Sequence, residues 1–435
     1  MPSSVDSLFW ISVCAVLGPL VAGVVPRRLL PEVVLLLVTG VVIGPNVLGL
    51  ASSDEAIDLL HDLGLGMLFL LAGYELELKE LTGAGGRRAL RTWLVSFALA
   101  LVTVWILASV VGVTAEMAVA IALTSTALGT LLPILKDAGL MGTTFGNTIL
   151  NHGAMGELCP VLAMAVLLGA RGTFASIVVL GLFFLAALLV SLPSARISAT
   201  SKVLGLIRSG AETTGQTTVR LTVLLLVTLL ALAAAFNLDS VLGAFAAGFI
   251  LRRALPGGDE RLELKLTGLA FGLLIPIFFV TAGMAIDPAA VADRPAALVL
   301  FVLLILLVRG VPVMVASRFE HDEGRPLRAF STRDSIRLGL YGATGLPIIV
   351  AVTAVAVDSG TMSATNASVL VAGGAVTVLL LPLSATLLAR PDAGSADSAT
   401  LAAQQPQPHP GEGEHQQYGG KDDGDRDGEG QAPAQ

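Results

Sequence analysis

The sequence predicts an all-α polytopic membrane protein of about 13 transmembrane helices, arranged as an inverted repeat with an interrupted helix in each half. Three observations lead there. Of the 435 residues 54 % are hydrophobic and only 14 % charged, at a mean hydropathy of +0.82, whereas a soluble chain carries about 25 % charged residues. The basic residues fall almost entirely on one side of an alternating series of apolar segments. A motif near residue 70 returns near residue 280.

The apolar segments run almost without pause from Leu8 to Leu388. Crossing a hydrocarbon layer of roughly 30 Å takes about 20 mainly apolar residues. Cutting at charge and turn clusters yields spans near 7–25, 32–50, 62–78, 92–112, 115–135, 146–169, 174–193, 219–236, 240–255, 266–286, 296–317, 335–357 and 365–389. Only Asn237-Leu238-Asp239 separates the eighth from the ninth. No Lys or Arg precedes the first run, so it lacks a signal peptide's charged region and is expected to be a retained helix. With the N-terminus outside, alternation leaves only Arg171 and Arg294 in outside loops. Every other base up to Arg390 lies inside, except Arg309 within a span. This is the asymmetry of the positive-inside rule, and a miscount by one helix would scramble it. The chain is therefore expected in the cell membrane, N-terminus outside and C-terminal segment cytoplasmic.

Beyond Arg390 the composition changes. Residues 391–435 hold nine of the 33 acids and two of the 26 bases, so this tail carries the whole net charge of −7. Such a composition cannot bury enough apolar surface to fold, and the tail is expected to be disordered. Cys14 and Cys159 both fall inside apolar runs, which suggests neither a disulfide nor a metal site.

The repeat pairs Phe69-Leu70-Leu71-Ala72-Gly73-Tyr74-Glu75-Leu76-Glu77 with Phe279-Val280-Thr281-Ala282-Gly283-Met284-Ala285-Ile286-Asp287, 210 residues on. Thr39-Gly40-Val41-Val42-Ile43 parallels Ala247-Gly248-Phe249-Ile250-Leu251 at nearly the same offset. An offset of seven spans, an odd number, inverts the second copy, as in secondary transporters whose sites lie at the midplane. The repeats are expected at about 32–169 and 240–389, joined by linking helices at about 174–236. Each holds a helix interrupted at membrane depth. One carries Thr124-Ser125-Thr126-Ala127-Leu128-Gly129-Thr130 with Pro133 after it. The other carries Gly339 and Gly342-Ala343-Thr344-Gly345-Leu346-Pro347. Broken backbone survives there only when buried in protein or lining a polar cavity, where half-helix ends offer dipoles and carbonyls to an ion. Small residues for close helix packing are the plain alternative.

An ionisable side chain at the bilayer centre is costly and points to function. Glu157 lies near the middle of its span, with Gly153 one turn before it and Pro160 almost one turn after. Those neighbours are expected to leave the carboxylate open and weaken the local backbone ladder. Arg309, at similar depth, stays charged and needs a counter-charge, for which Glu157 is the only mid-span acid. A static buried pair stabilises poorly beside apolar packing, which favours a transport role over a structural one. His152, about 140° around the helix from Glu157, reads first as a hydrogen-bonded packing residue and second as a proton relay. Glu75 and Glu77 end a helix beside Lys79, where solvated pairing accounts for them. Phosphate loops, dinucleotide fingerprints, metal-spaced His/Cys clusters and nucleophile elbows are missing. No enzyme, cofactor or nucleic-acid partner is expected, nor a channel filter.

The runs Gly40 to Pro45, Phe69 to Leu78, Thr124 to Ala127, Leu242 to Gly248 and Phe278 to Asp287 together resemble the sodium/hydrogen exchanger superfamily, in its monovalent cation/proton antiporter-2 family. The likeness covers about 7–389. It implies a dimerisation domain beside a mobile core domain built on two crossing interrupted helices, a homodimer, and transport of Na⁺ or K⁺ against protons. Carried over by position, Glu157 stands for the family's ion-binding aspartate, Gly156 for the Asp or Asn before it, and Arg309 for a core Lys or Arg. Ser125, Thr126 and Thr344 join Glu157 as ion or proton ligands. Thr124, Gly129, Pro133, Gly342, Gly345 and Pro347 shape the breaks, and Gly153, Gly156 and Pro160 support the carboxylate. Glu lengthens the ligand and Gly156 removes a polar group. No nucleotide-binding regulatory domain is expected after the membrane part.

Partial desolvation lets a proton and a cation compete for one carboxylate. Loaded with either, Glu157 can cross as the core shifts; naked, it should not. One carboxylate beside an Arg that keeps its proton predicts electroneutral 1:1 exchange. Two further readings remain open: export or symport of an organic or ion-complexed solute, and a non-transporting scaffold.

Overall fold

The computed structural model describes residues 2–24, 31–76, 82–111, 114–137, 139–168, 173–197, 216–255, 258–319 and 330–388. The tail at 391–435, Glu77 and Lys79 lie outside the described residues. Regular structure among the described residues is entirely helical. In chain order the helices are α1 (Ser4–Val24), α2 (Glu32–Ile43), α3 (Glu55–Glu75), α4 (Ala84–Val111), α5 (Glu116–Leu123) and α6 (Leu128–Asp137). Then come α7 (Thr144–Leu167), α8 (Thr173–Ile197), α9 (Thr217–Ala235), α10 (Ser240–Ala254), α11 (Glu260–Met284) and α12 (Pro288–Ala292). The last four are α13 (Pro295–Arg318), α14 (Thr332–Gly342), α15 (Leu346–Asp358) and α16 (Ala364–Leu387).

Nine helical stretches among the described residues are long and apolar enough to cross a membrane, with α14 and α15 taken as one stretch. Their starts follow local chemistry. Asp54 accepts the amides of Ala56 and Ile57 ahead of α3, Thr143 that of Gly146 ahead of α7, and Ser331 that of Asp334 ahead of α14, supplying acceptors to otherwise orphaned first-turn donors. The span drawn at 32–50 is shorter than expected, because α2 stops at Ile43. Gly44 precedes Pro45 and takes an extended ψ of 172°, the conformation that a following proline imposes, and a turn through Gly49 (φ +62°) ends the segment.

The helices form two groups. In one, α2 packs on α11, α3 on α10, and α1 and α9 lie alongside. In the other, α4 packs on α5 and α7, α13 on α14 and α16, and α15 on α16. The groups meet where α3 touches α6, α2 touches α16 and α10 touches α7; α8 lies against α7, α9 and α10.

Glycines set the closest approaches in the first group, and they do so reciprocally. A Cβ at Gly40 would meet the Val280 carbonyl of α11, and one at Gly283 the Leu37 carbonyl of α2. A Cβ at Gly73 would meet the Phe245 carbonyl of α10, and one at Gly248 the Leu70 carbonyl of α3. The first element of each motif pair thus packs against the second element of the other.

Two π-helical turns were not anticipated: Ala270–Leu274 in α11 and Leu306–Gly310 in α13. Each is followed two residues later by a proline, Pro276 and Pro312. A proline inside a helix lacks an N–H and clashes with the carbonyl four residues back. A widened turn relieves that clash, and the second one contains Arg309.

Candidate functional site

The first break runs from Thr124 to Ala127, between α5 and α6. The Thr124 and Ser125 hydroxyls donate to the carbonyls of Ile121 (2.9 Å) and Ala122 (2.8 Å), closing α5 locally. The amides beyond are taken by other helices. Thr126 N donates to Gly156 O at 2.8 Å, and Ala127 N donates to Thr344 O. The Gly156 carbonyl is available because Pro160, four residues on in α7, has no N–H to give it. Gly129 and Pro133, expected to make the break, fall within α6. These cross-helix bonds, formed at 126 and 127, end the break before Gly129.

The second break, Ala343 to Gly345, lies against the first. Thr126 Oγ1 donates to Gly342 O at 2.6 Å, at the last residue of α14, and Ser125 Oγ reaches Gly345 O at 3.3 Å. Thr344 Oγ1 donates to Tyr341 O at 2.8 Å. Gly345 admits the Ser125 hydroxyl into the space a Cβ would fill. Pro347 sits in the first turn of α15, where a missing N–H costs nothing. Thr124, Ser125, Thr126 and Thr344 are all buried. Thr126 accepts from Arg309 while donating to Gly342.

Glu157 projects from α7 beside the crossing and is 2 % exposed. The amide of Leu128, the first residue of α6, is turned to its carboxyl, and Oε2 has no hydrogen-bond partner. A half-helix N-terminus facing a carboxylate brings positive dipole to negative charge. Gly153 does not leave the carboxylate open as expected, because the Leu128 side chain takes that room, with Cδ1 2.8 Å from where a Cβ would stand.

Arg309 corrects the pairing read from sequence. Its guanidinium is fully buried, yet no ion pair joins it to Glu157. Nε donates to Thr126 Oγ1 at 3.0 Å and Nη2 to the His152 carbonyl at 2.6 Å, while Nη1 has no partner. Depth matched the two charges along the membrane normal. The π turn and the rotamer instead send the guanidinium to the crossing and to the backbone of α7. A Cβ at Gly156 would stand 2.5 Å from Arg309 Nη2 and 2.6 Å from Thr126 Cβ. Gly156 is thus the room into which Arg309 reaches. His152 is buried, and its ring Nδ1 has no hydrogen-bond partner. Glu75 ends α3 with its side chain exposed.

Comparison with known proteins comes to the same architecture. Residues 12–390 match the family model described as sodium/hydrogen exchanger, transmembrane. The chain is 22 % identical over 369 residues to the Na⁺/H⁺-K⁺ antiporter GerN of Bacillus cereus, covering 81 % of this chain and 88 % of that protein. It is 24 % identical over 325 residues to the probable Na⁺/H⁺ antiporter GerT of the same organism, covering 71 % and 80 %. The solved structure of the sodium proton antiporter MjNhaP1 from Methanocaldococcus jannaschii superimposes with a TM-score of 0.60 at 18 % identity. That match covers 88 % of this chain and 97 % of the other.

Proposed function

The chain belongs to the sodium/hydrogen exchanger transmembrane family, and from that premise we propose that it exchanges a monovalent cation, Na⁺ or K⁺, for protons by alternating access. Glu157 is the carrier carboxylate. What supports this most is its Oε2, buried beside two helix breaks with no partner among the described residues. A buried acceptor left open is costly, and a proton or a cation relieves that cost equally. The two species therefore exclude one another, which couples their movements. The names of GerN and GerT favour Na⁺, and that of GerN adds K⁺.

The rest follows the topology. Thirteen crossings with the N-terminus outside, repeats at about 32–169 and 240–389, and a homodimer formed through the first helix group complete the proposal. The reciprocal glycine contacts support the repeat, because a pseudo-two-fold axis maps the Gly40–Gly283 approach onto the Gly248–Gly73 approach. Since Arg309 keeps its proton and one carboxylate carries the load, exchange is electroneutral at 1:1.

Proteoliposomes loaded with a pH dye test this. Wild type should move protons on addition of Na⁺, K⁺ or Li⁺, and Glu157→Gln should not. A voltage-dependent reversal point under equal gradients would refute the stoichiometry. One observation favours a second reading, symport or export of an ion-complexed or organic solute: Arg309 Nη1 is a buried donor that a bare alkali cation cannot use. Silence with every alkali ion, and proton flux driven by an anionic solute, would favour it.

A further inference from the structure

A cavity of about 160 Å³ lies where the end of α7, the end of α15 and the turn before α10 come together. Met164, Ala165 and Leu168 line it from α7, Val355 from α15, and Asn237 and Asp239 from the turn. That volume holds an alkali cation with several waters. The exchange mechanism proposed above makes no use of it.

The cavity stands over Glu157. Met164 and Leu168 follow Glu157 by seven and eleven residues on α7, which keeps all three within about 20° of one helix face and puts Met164 about 10 Å farther along the axis. Val161 and Met164, on the same stretch, are both buried, so the way from the cavity to the carboxylate is closed in this structure. The cavity also straddles the junction of the two helix groups, since α10 belongs to the first and α7 and α15 to the second.

Its lining is one-sided in charge. Both α7 and α15 present their last turns to it, and a helix C-terminus carries partial negative charge. Asp239 adds a carboxylate, and no Lys, Arg or His lines the cavity among the described residues. The one positive dipole end, that of α10, is matched by Asp239 Oδ1, which accepts the Val241 amide at 2.8 Å. Among the described residues no hydrogen bond or ion pair reaches Oδ2. Capping uses one oxygen, and Asn or Ser would supply it without a charge to desolvate, so the cap does not explain the carboxylate.

We propose that this cavity is a second cation site, a vestibule on the external side in which Asp239 collects an alkali cation before movement of the second helix group parts Val161 and Met164 from their neighbours and opens the way to Glu157. A low-dielectric cleft lined by one sign of charge concentrates counter-ions. Asp239 thereby sets affinity on one face only. The inference rests on Glu157 as the carrier and on the external placement of the start of α10.

The test compares cation KM from each face, using right-side-out and inside-out membrane vesicles with Na⁺ or K⁺ as the probe. Asp239→Asn, which keeps the cap, should raise the external KM about tenfold and leave the cytoplasmic KM and the maximal rate within about twofold. A second measurement is independent of transport. In a chain whose Cys14 and Cys159 are replaced by serine, Leu168→Cys is labelled from outside with membrane-impermeant thiosulfonates, one bearing an ammonium and one a sulfonate. Relative to a free thiol in solution, the cationic reagent should be favoured about tenfold, and Asp239→Asn should remove most of that preference. Unchanged external KM, an equal change on both faces, or a preference that Asp239→Asn does not move overturns the proposal, while active wild type preserves the antiport reading. Labelling from the cytoplasmic face alone overturns the assumed orientation and the proposal with it. If wild type is silent with every alkali ion, the antiport reading falls and the vestibule with it. Should Asp239→Asn fail to fold, Asp239→Ser carries the same comparison.

Discussion

Adding one methyl group at position 156 should disable this site. A Cβ there stands 2.5 Å from Arg309 Nη2 and 2.6 Å from Thr126 Cβ, and closer still to Thr126 Oγ1. Neither neighbour has free room, since both are fully buried. Displacing them strains three bonds: Arg309 Nε to Thr126 Oγ1 (3.0 Å), Arg309 Nη2 to His152 O (2.6 Å) and Thr126 Oγ1 to Gly342 O (2.6 Å). Bonds to a charged group contribute about 1.5–3 kcal/mol and neutral ones about 1. With partial relaxation Gly156→Ala should cost about 3 kcal/mol in thermal unfolding in detergent, and should lower cation-driven proton flux at least about tenfold. Gly129→Ala is the control, because no heavy atom lies within 4 Å of its Cβ position and alanine is the better helix former by up to about 1 kcal/mol. Gly156→Asn, which restores the polar residue expected from the family resemblance, should be worse than alanine. Combining it with Arg309→Lys should recover part of the loss, since an ammonium needs less lateral room than a guanidinium. A Gly156→Ala protein with wild-type stability and flux would refute the claim that Arg309 occupies this space.

Thr126→Ala removes the acceptor of Arg309 Nε and the donor to Gly342; it should cost about 2–3 kcal/mol in thermal unfolding and most of the flux, whereas Thr126→Ser retains both. Gly248→Ala would press a methyl onto the Leu70 carbonyl, with the Tyr74 amide 2.8 Å away. Backbone cannot step aside, so a loss of about 3 kcal/mol is expected, against near neutrality for Gly66→Ala, whose nearest neighbour is Leu230 Cδ1 at 3.6 Å. Burial pushes the Asp239 carboxyl up to about 6, with the charges of Asp62 and Asp358 adding to it against the opposing Val241 amide. Its folded value lies above the ordinary 3.8, so its stabilising contribution is complete below about pH 4 and lost as pH rises through 6. Asp239→Asn keeps an N-cap for α10 and should stabilise by about 1 kcal/mol at pH 7.5, after allowance for partial exposure. No gain is expected at pH 4, and thermal melts at the two pH values decide it.

Most of the helices, the two interrupted segments and the burial of Glu157 were legible in the sequence for one reason. A bilayer penalises each polar group by its depth, so hydropathy, loop charge and a stray carboxylate all report position along the membrane normal. The end of α2 and the π turns were readable in principle from Gly44-Pro45, Pro276 and Pro312, because proline acts on its own backbone neighbourhood. Gly129 and Pro133 misled because the limits of the break depend on which amides find acceptors elsewhere, here Gly156 O and Thr344 O.

Hydropathy and breaker residues were thus enough to read a bundle of membrane helices, two of them interrupted. Which side chains face one another emerges from the packing of the helices. Arg309 goes to Thr126 and the His152 carbonyl instead of Glu157, Gly153 houses Leu128, and Gly156 makes room for a guanidinium. Depth is a one-dimensional quantity that composition records locally. Lateral partners are chosen by the rotation and closest approach of helices distant in sequence, which small residues such as Gly73 and Gly248 permit without naming the neighbour.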